Sequence, residues 1–150
     1  MVKFVIRYLV PGCLVLGVTI STAMSSPVDC SVPVDQNPLV KKVIYFDVGQ
    51  SSLSKKAQKK IDDLFDVVDG HPSLKICAIG QADKQGDPEA NKKLSLKRAQ
   101  SAKNYLVKKG IAKKRIETVF RGEAYGSFSL WGTGDKADED RRVEVIAYKE

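Results

Sequence analysis

The stretch LKICAIGQADKQGDPEANKKLSLKRAQSAKNYLVKKG, residues 74–110, decides how the chain folds. Its first seven residues alternate. Leu74, Ile76 and Ala78 fall on one face and Cys77 and Ile79 on the other, the period of a strand. A polar loop, 81–93, follows. Ser95 reads as the N-cap of a helix on which Ala99, Ala102, Leu106 and Val107 share a side, with Gly110 at its end. Lys108 and Lys109 sit in the last turn, where the helix dipole favours positive charge.

Outward from this unit the same two periods recur. VIYFDV, 43–48, is β-branched and aromatic and is bounded by Gly49, so it reads as a strand. Ser54 caps a helix carrying Ala57, Ile61, Leu64, Phe65 and Val68 at helical spacing, closed by Gly70. Downstream, Ile116–Phe120 reads as a third strand. A loop with Gly122, Gly126, Gly132 and Gly134 comes next, and Arg142–Tyr148 alternates around Val143, Val145 and Ala147 as a fourth strand. The order is β-α-β-α-β-β. Right-handed crossovers put both helices on one face of a mixed four-stranded sheet, an α/β fold with α+β character. Residues 41–150 form one domain, and 26–40, with three prolines and no period, form a linker.

Residues 1–25 differ from the rest. Lys3 and Arg7 precede an uncharged apolar run, Tyr8–Ile20, and small residues follow at Ser21, Thr22, Ala23 and Ser25. That is the order of a secretory signal peptide. A retained membrane anchor is the alternative, although Pro11, Gly12 and Gly17 break the run; a lipid on Cys13 is a poorer one. Membrane contact is expected only if this segment is retained or lipidated. The whole chain carries a net charge of +7, and losing Lys3 and Arg7 with no acid leaves about +5. A basic surface suits anionic partners, and the export signal points to an envelope polyanion in the periplasm rather than to nucleic acid. Export also permits a disulfide between Cys30 and Cys77; two separate thiols are the alternative.

Little in the chain suggests catalysis. The one histidine, His71, lies in a Gly-His-Pro turn with no second ligand at metal spacing, and no nucleophile–base set or phosphate loop accompanies it. No enzyme activity, metal or cofactor is expected. Asp62, Asp63 and Asp66 read as a solvated helix face, and Asp135, Asp138, Glu139 and Asp140 as an acidic loop. Asp83 and Arg98 stand apart. Asp83 follows the carboxyl end of a strand, and Arg98 would sit at the third position of the helix capped by Ser95. Ligands of open α/β sheets bind where strands end and helices begin. Helix-start amides near 95–98 with the Arg98 fork would take a carboxylate, and Asp83 an ammonium, together a receptor for a zwitterion such as an amino-acid head group. The plainer alternative is an Asp83–Arg98 ion pair worth ~0–1 kcal/mol.

Residues 43–148 resemble the OmpA C-terminal-like family, which includes Pal-type lipoproteins and MotB. VIYFDVGQSSLSKKAQ is similar to the family's opening strand, Phe-Asp pair and helix start. GQADKQGDPEANKKLSLKRAQSAKNYLVKKGI follows its pattern Gly-His-Thr-Asp, Gly, Asn-x-x-Leu-Ser-x-x-Arg-Ala, and DRRVEV its closing strand. The resemblance implies non-catalytic binding of peptidoglycan through meso-diaminopimelate of the stem peptide. It also implies Asp83 and Arg98 as ligand residues, with Asn91, Ser95 and Arg142 beside them; Arg141 is the other of the paired arginines. Gln81 and Ala82 replace the family's His-Thr, which removes a hydroxyl. A lost hydrogen bond costs ~1 kcal/mol, several-fold in affinity. The rival reading is a scaffold subunit of a secretion or conjugation machine, with envelope proteins as partners and weakened wall binding.

Overall fold

The computed structural model describes residues 30, 38–82, 86–120 and 140–149. Strand β1 (Val40–Tyr45) is followed by helix α1 (Lys55–Asp69), β2 (Lys75–Gly80), α2 (Pro88–Lys109), a short 3-10 turn at Lys113–Arg115, β3 (Ile116–Phe120) and β4 (Arg142–Tyr148). The sheet order is β1-β4-β2-β3, with β2 and β3 parallel and β4 antiparallel to both of its neighbours. The expected α/β architecture is therefore the one observed. Because β4 is inserted between β1 and β2, those two strands run the same way and end at the same edge of the domain.

The alternation read in β2 separates two apolar layers. Ile76 and Ala78 join Ile44, Val143, Val145, Ala147 and the inner faces of both helices in the main core. Cys77 and Ile79 face the other way, where they pack with Ile146 and with Cys30, Val119 and Tyr148. Cys30 and Cys77 are disulfide-bonded, with Cα atoms 5.8 Å apart and 47 residues of separation. A loop of that length loses about 4 kcal/mol of chain entropy from the unfolded state in the simplest model. The covalent link also fixes Cys30 against the middle of the sheet's outer face.

Several boundaries differ from the sequence reading. β1 begins at Val40, inside the expected linker, and ends at Tyr45, because β4 is long enough to pair with it from Val40↔Ala147 to Tyr45↔Arg142. Ser54 does cap α1, accepting from the Ala57 N–H at 3.2 Å, and Gly70 does end it. Asp62 is not merely solvated: its carboxylate accepts from the Tyr105 hydroxyl and pairs with Lys109, both at 3.0 Å, tying α1 to α2. Val107 is over a third exposed rather than core.

The largest difference is the start of α2. Asp87 is the N-cap, its carboxylate accepting from the Ala90 N–H at 2.7 Å, with Pro88 in the first turn and Glu89 beside it. Asp-Pro-Glu is a strong start signal, since proline's fixed φ and missing N–H suit the first turn. Ser95 therefore lies mid-helix, fully buried, its hydroxyl donating to the Lys92 carbonyl at 2.8 Å. Arg98 lies in the third turn rather than the first. At the far end, Gly110 adopts φ 119° and closes the helix with its N–H on Leu106 and Val107.

Candidate functional site

Two parallel strands, β1 and β2, end at the same edge of the sheet with β4 between them, and one arginine joins their ends. Arg98 points from α2 toward the carboxyl ends of β1 and β2 and is fully buried. Its Nε donates to the Gln50 carbonyl at 2.8 Å and one terminal nitrogen to the Asp47 carbonyl at 3.1 Å, both beyond β1. The other terminal nitrogen reaches the Gln81 carbonyl, just past β2, at 3.5 Å. The guanidinium also lies 5.3 Å from the centre of the Phe46 ring. Burying a guanidinium is costly unless its donors are satisfied. Carbonyls satisfy donors and fix the plane of the fork, while adding no counter-charge of their own.

The helix reaches this place because of a glycine. A Cβ on Gly80 would lie 2.7 Å from the Ser95 carbonyl carbon and closer still to its oxygen, both backbone atoms. Only the absence of a side chain lets α2 cross the end of β2 at this distance. Ser95 thus contributes a small buried residue at the crossing, and its N–H is not a free helix-start amide as the sequence reading had it. The first turn of α2 lies seven residues earlier, where Asp87 takes the Ala90 N–H on its carboxylate and the Asn91 N–H on its carbonyl, and where Asn91 is nine-tenths buried.

The paired arginines separate by strand alternation. Arg142 shares its face of β4 with Glu144 and Ile146, opposite the helices. There its Nε donates to Glu144 at 2.9 Å, and a terminal nitrogen lies 3.6 Å from Asp140. It is not brought beside Arg98. Arg141 falls on the helix side, and its Nε donates to the Phe46 carbonyl at 3.3 Å, against the residue whose ring Arg98 covers. The sequence carried the signal that distinguishes them: Val143, Val145 and Ala147 share a parity with Arg141. Asp83 lies outside the described residues. Ala82, which precedes it, is buried. The segment 1–25 and the acidic residues Asp135, Asp138 and Glu139 also lie outside. Among the described residues no helix is long and apolar enough to cross a membrane, and no cluster of possible metal ligands occurs.

With this geometry in view, comparison with known proteins is decisive: a sequence model of the OmpA family matches residues 45–141. The chain belongs to the OmpA family. It is 33% identical over 108 residues to a peptidoglycan-associated lipoprotein of Buchnera aphidicola, covering 71% of this chain and 60% of that one. It is 29% identical over 136 residues to outer membrane protein A of Bordetella avium, covering 91% and 67%. The crystal structure of the peptidoglycan-associated lipoprotein from Burkholderia pseudomallei superposes with a TM-score of 0.65 at 25% identity, over 75% of this chain and 95% of that one. The C-terminal domain of Helicobacter pylori MotB shares the fold, with a TM-score of 0.62 at 14% identity over 73% and 85%. The chain thus spans less than two thirds of the Buchnera relative's length. Membership of the OmpA family places it among non-catalytic domains.

Proposed function

We propose that this OmpA-family domain binds peptidoglycan without catalysis, in the periplasm, and so tethers itself or an envelope assembly to the wall. The finer reading is that the ligand is the diaminopimelate of a stem peptide, with its carboxylate on Arg98 and its ammonium on Asp83. One observation carries it: Arg98 is held where β1 and β2 end, by the carbonyls of Asp47, Gln50 and Gln81. Asp83 is two residues further along, and two residues of chain span at most about 7 Å. A carboxylate and an ammonium on one carbon need opposite charges at that scale. The family resemblance of Asn91-x-x-Leu94-Ser95-x-x-Arg98 and the relatives named as peptidoglycan-associated support the same reading. Within it, Asn91 shapes the loop from the first turns of α2, Ser95 acts through the Gly80 crossing, and Arg142 acts from the outer face.

Co-sedimentation with purified diaminopimelate-type peptidoglycan tests the proposal, at moderate salt so that a basic chain does not pellet by charge alone. Wild type should pellet, while Asp83→Ala and Arg98→Lys should stay in solution. Arg98→Lys keeps the charge but loses the bidentate fork. If all three pellet alike, Asp83 and Arg98 do not form the wall site. If none pellets, the scaffold reading, with envelope proteins as partners, replaces this one.

A further inference from the structure

Polar residues on the sheet face opposite the helices form a continuous chain that ends at the Arg98 site. Lys41 Nζ meets Glu144 at 2.9 Å, and Arg142 Nε donates to the same carboxylate at 2.9 Å. Arg142 also lies 3.6 Å from Asp140 Oδ1, and Gln81 Nε2 donates to that same oxygen at 3.0 Å. Glu144 and Gln81 are buried, with 5% and 2% of their surface exposed. A buried polar network of this kind is rigid when each member is satisfied.

Gln81 is where this chain meets the arginine. Its side chain reaches Asp140 on the outer face. Its N–H donates to the Arg142 carbonyl at 2.9 Å, across to β4. Its carbonyl accepts from Arg98 on the helix face. The residue is thus held from three directions, by its side chain and by the two peptide groups that flank its Cα, and the third is the clamp itself.

From this geometry we infer that Gln81 is a positioning residue for Arg98. The Gln81–Asp140 hydrogen bond sets the tilt of the peptide whose carbonyl orients the guanidinium, so a contact on the outer face tunes a site on the inner one. The inference rests on the reading of Arg98 as a ligand residue, and it extends that reading to two residues that do not touch ligand.

The test uses the full chain and, as probe, a muropeptide bearing a meso-diaminopimelate tripeptide, titrated calorimetrically. Gln81→Ala and Asp140→Ala should each weaken binding roughly five- to tenfold, about the net worth of one hydrogen bond. The double variant should be no weaker than either single one, the signature of a shared interaction. Asp140→Asn keeps an acceptor for Gln81, and Gln81→His keeps a donor of similar reach; both should bind nearly as wild type does. A second readout needs no ligand. The Arg98 Nε–H resonance should shift, and exchange faster with solvent, in Gln81→Ala and Asp140→Ala but not in Asp140→Asn. An unmoved Arg98 signal in both alanine variants overturns the inference whatever the titration gives. A moved signal with no binding by wild type upholds the positioning and overturns only the reading of Arg98 as a ligand residue.

Discussion

Two arginines clamp this domain at opposite ends of the sheet with the same chemistry. Arg115, in the 3-10 turn before β3, donates to the carbonyls of Leu74 at 3.0 Å, Val68 at 3.1 Å and His71 at 2.7 Å. Arg98 likewise holds three carbonyls. Arg115 gathers acceptors from one continuous piece of chain, the end of α1 and the turn into β2. Arg98 gathers them from two pieces, 47–50 and 81, that follow separate parallel strands. Arg115 is partly exposed, and desolvation pushes its guanidinium below the usual arginine range; Arg98 is fully enclosed. Carbonyl clamping by itself thus marks an anchor. The place of the clamp, where parallel strands end, is what the proposed site rests on.

The largest expected effect breaks that comparison most directly. Arg98→Ala leaves carbonyls of two loops without a buried donor and removes a side chain from the interior, so unfolding in urea should show a loss of about 3–5 kcal/mol. The fold does not simply survive this substitution, as a pure ligand group would allow, which is why Arg98→Lys is the better binding probe. A stability equal to wild type with binding lost would mean that the clamp is not structural at all. Gly80→Ala comes next, at about 3 kcal/mol, since its Cβ meets helix backbone that has nowhere to go. The comparator is Gly70→Ala beside Arg115. Gly70 has φ −68°, and its nearest new contact would be 3.9 Å away, so the change should stabilise by about 0.4–1 kcal/mol through the unfolded state. Melting curves for the two alanines that move in the same direction would remove the distinction between the ends.

Arg115→Ala should cost about 2 kcal/mol in the same urea measurement, with peptidoglycan co-sedimentation unchanged. Loss of pelleting in a folded Arg115→Ala would show that the amino end of the sheet also serves binding, and would reduce the contrast to one of burial.

The sequence made the sheet and both helices legible because their apolar periods are clean: the β2 alternation alone separated the residues that turn out to face the helices from those that pack with Cys30. The start of α2 was misread because residues 88–94 carry few apolar residues. The helical period fades there, and Asp87-Pro88-Glu89 is a local signal of capping chemistry rather than of hydrophobicity. The role of Arg98 was half legible. Its place near a strand end followed from spacing, but its partners are main-chain carbonyls, which no side-chain pattern encodes. The faces of Arg141 and Arg142 were left unassigned for a third reason. In a strand, one residue of offset exchanges faces, and a paired Arg-Arg motif does not say which member turns inward.

The smallest effect concerns a contact that neither clamp makes. Both clamps end on main-chain carbonyls, which keep the same charge at every accessible pH. The Asp62–Tyr105–Lys109 link between the helices does not. The Lys109 ammonium donating to Asp62 holds that carboxyl below its ordinary value, with the Tyr105 hydroxyl adding to the effect and partial desolvation opposing it. A carboxyl whose pKa is lower folded than unfolded stabilises the fold above its unfolded value, near 3.8. That contribution disappears as pH falls through the folded value. Asp62 in turn raises the Lys109 pKa, and burial, with Asp62 second, raises that of Tyr105. Their share is present below pH 10 and lost above it. Asp62→Asn should therefore be less stable than wild type at pH 7 by a small margin, and the two urea midpoints should merge by pH 2.5. A gap that persists in acid would assign the link to hydrogen bonding alone and remove titration from this contact.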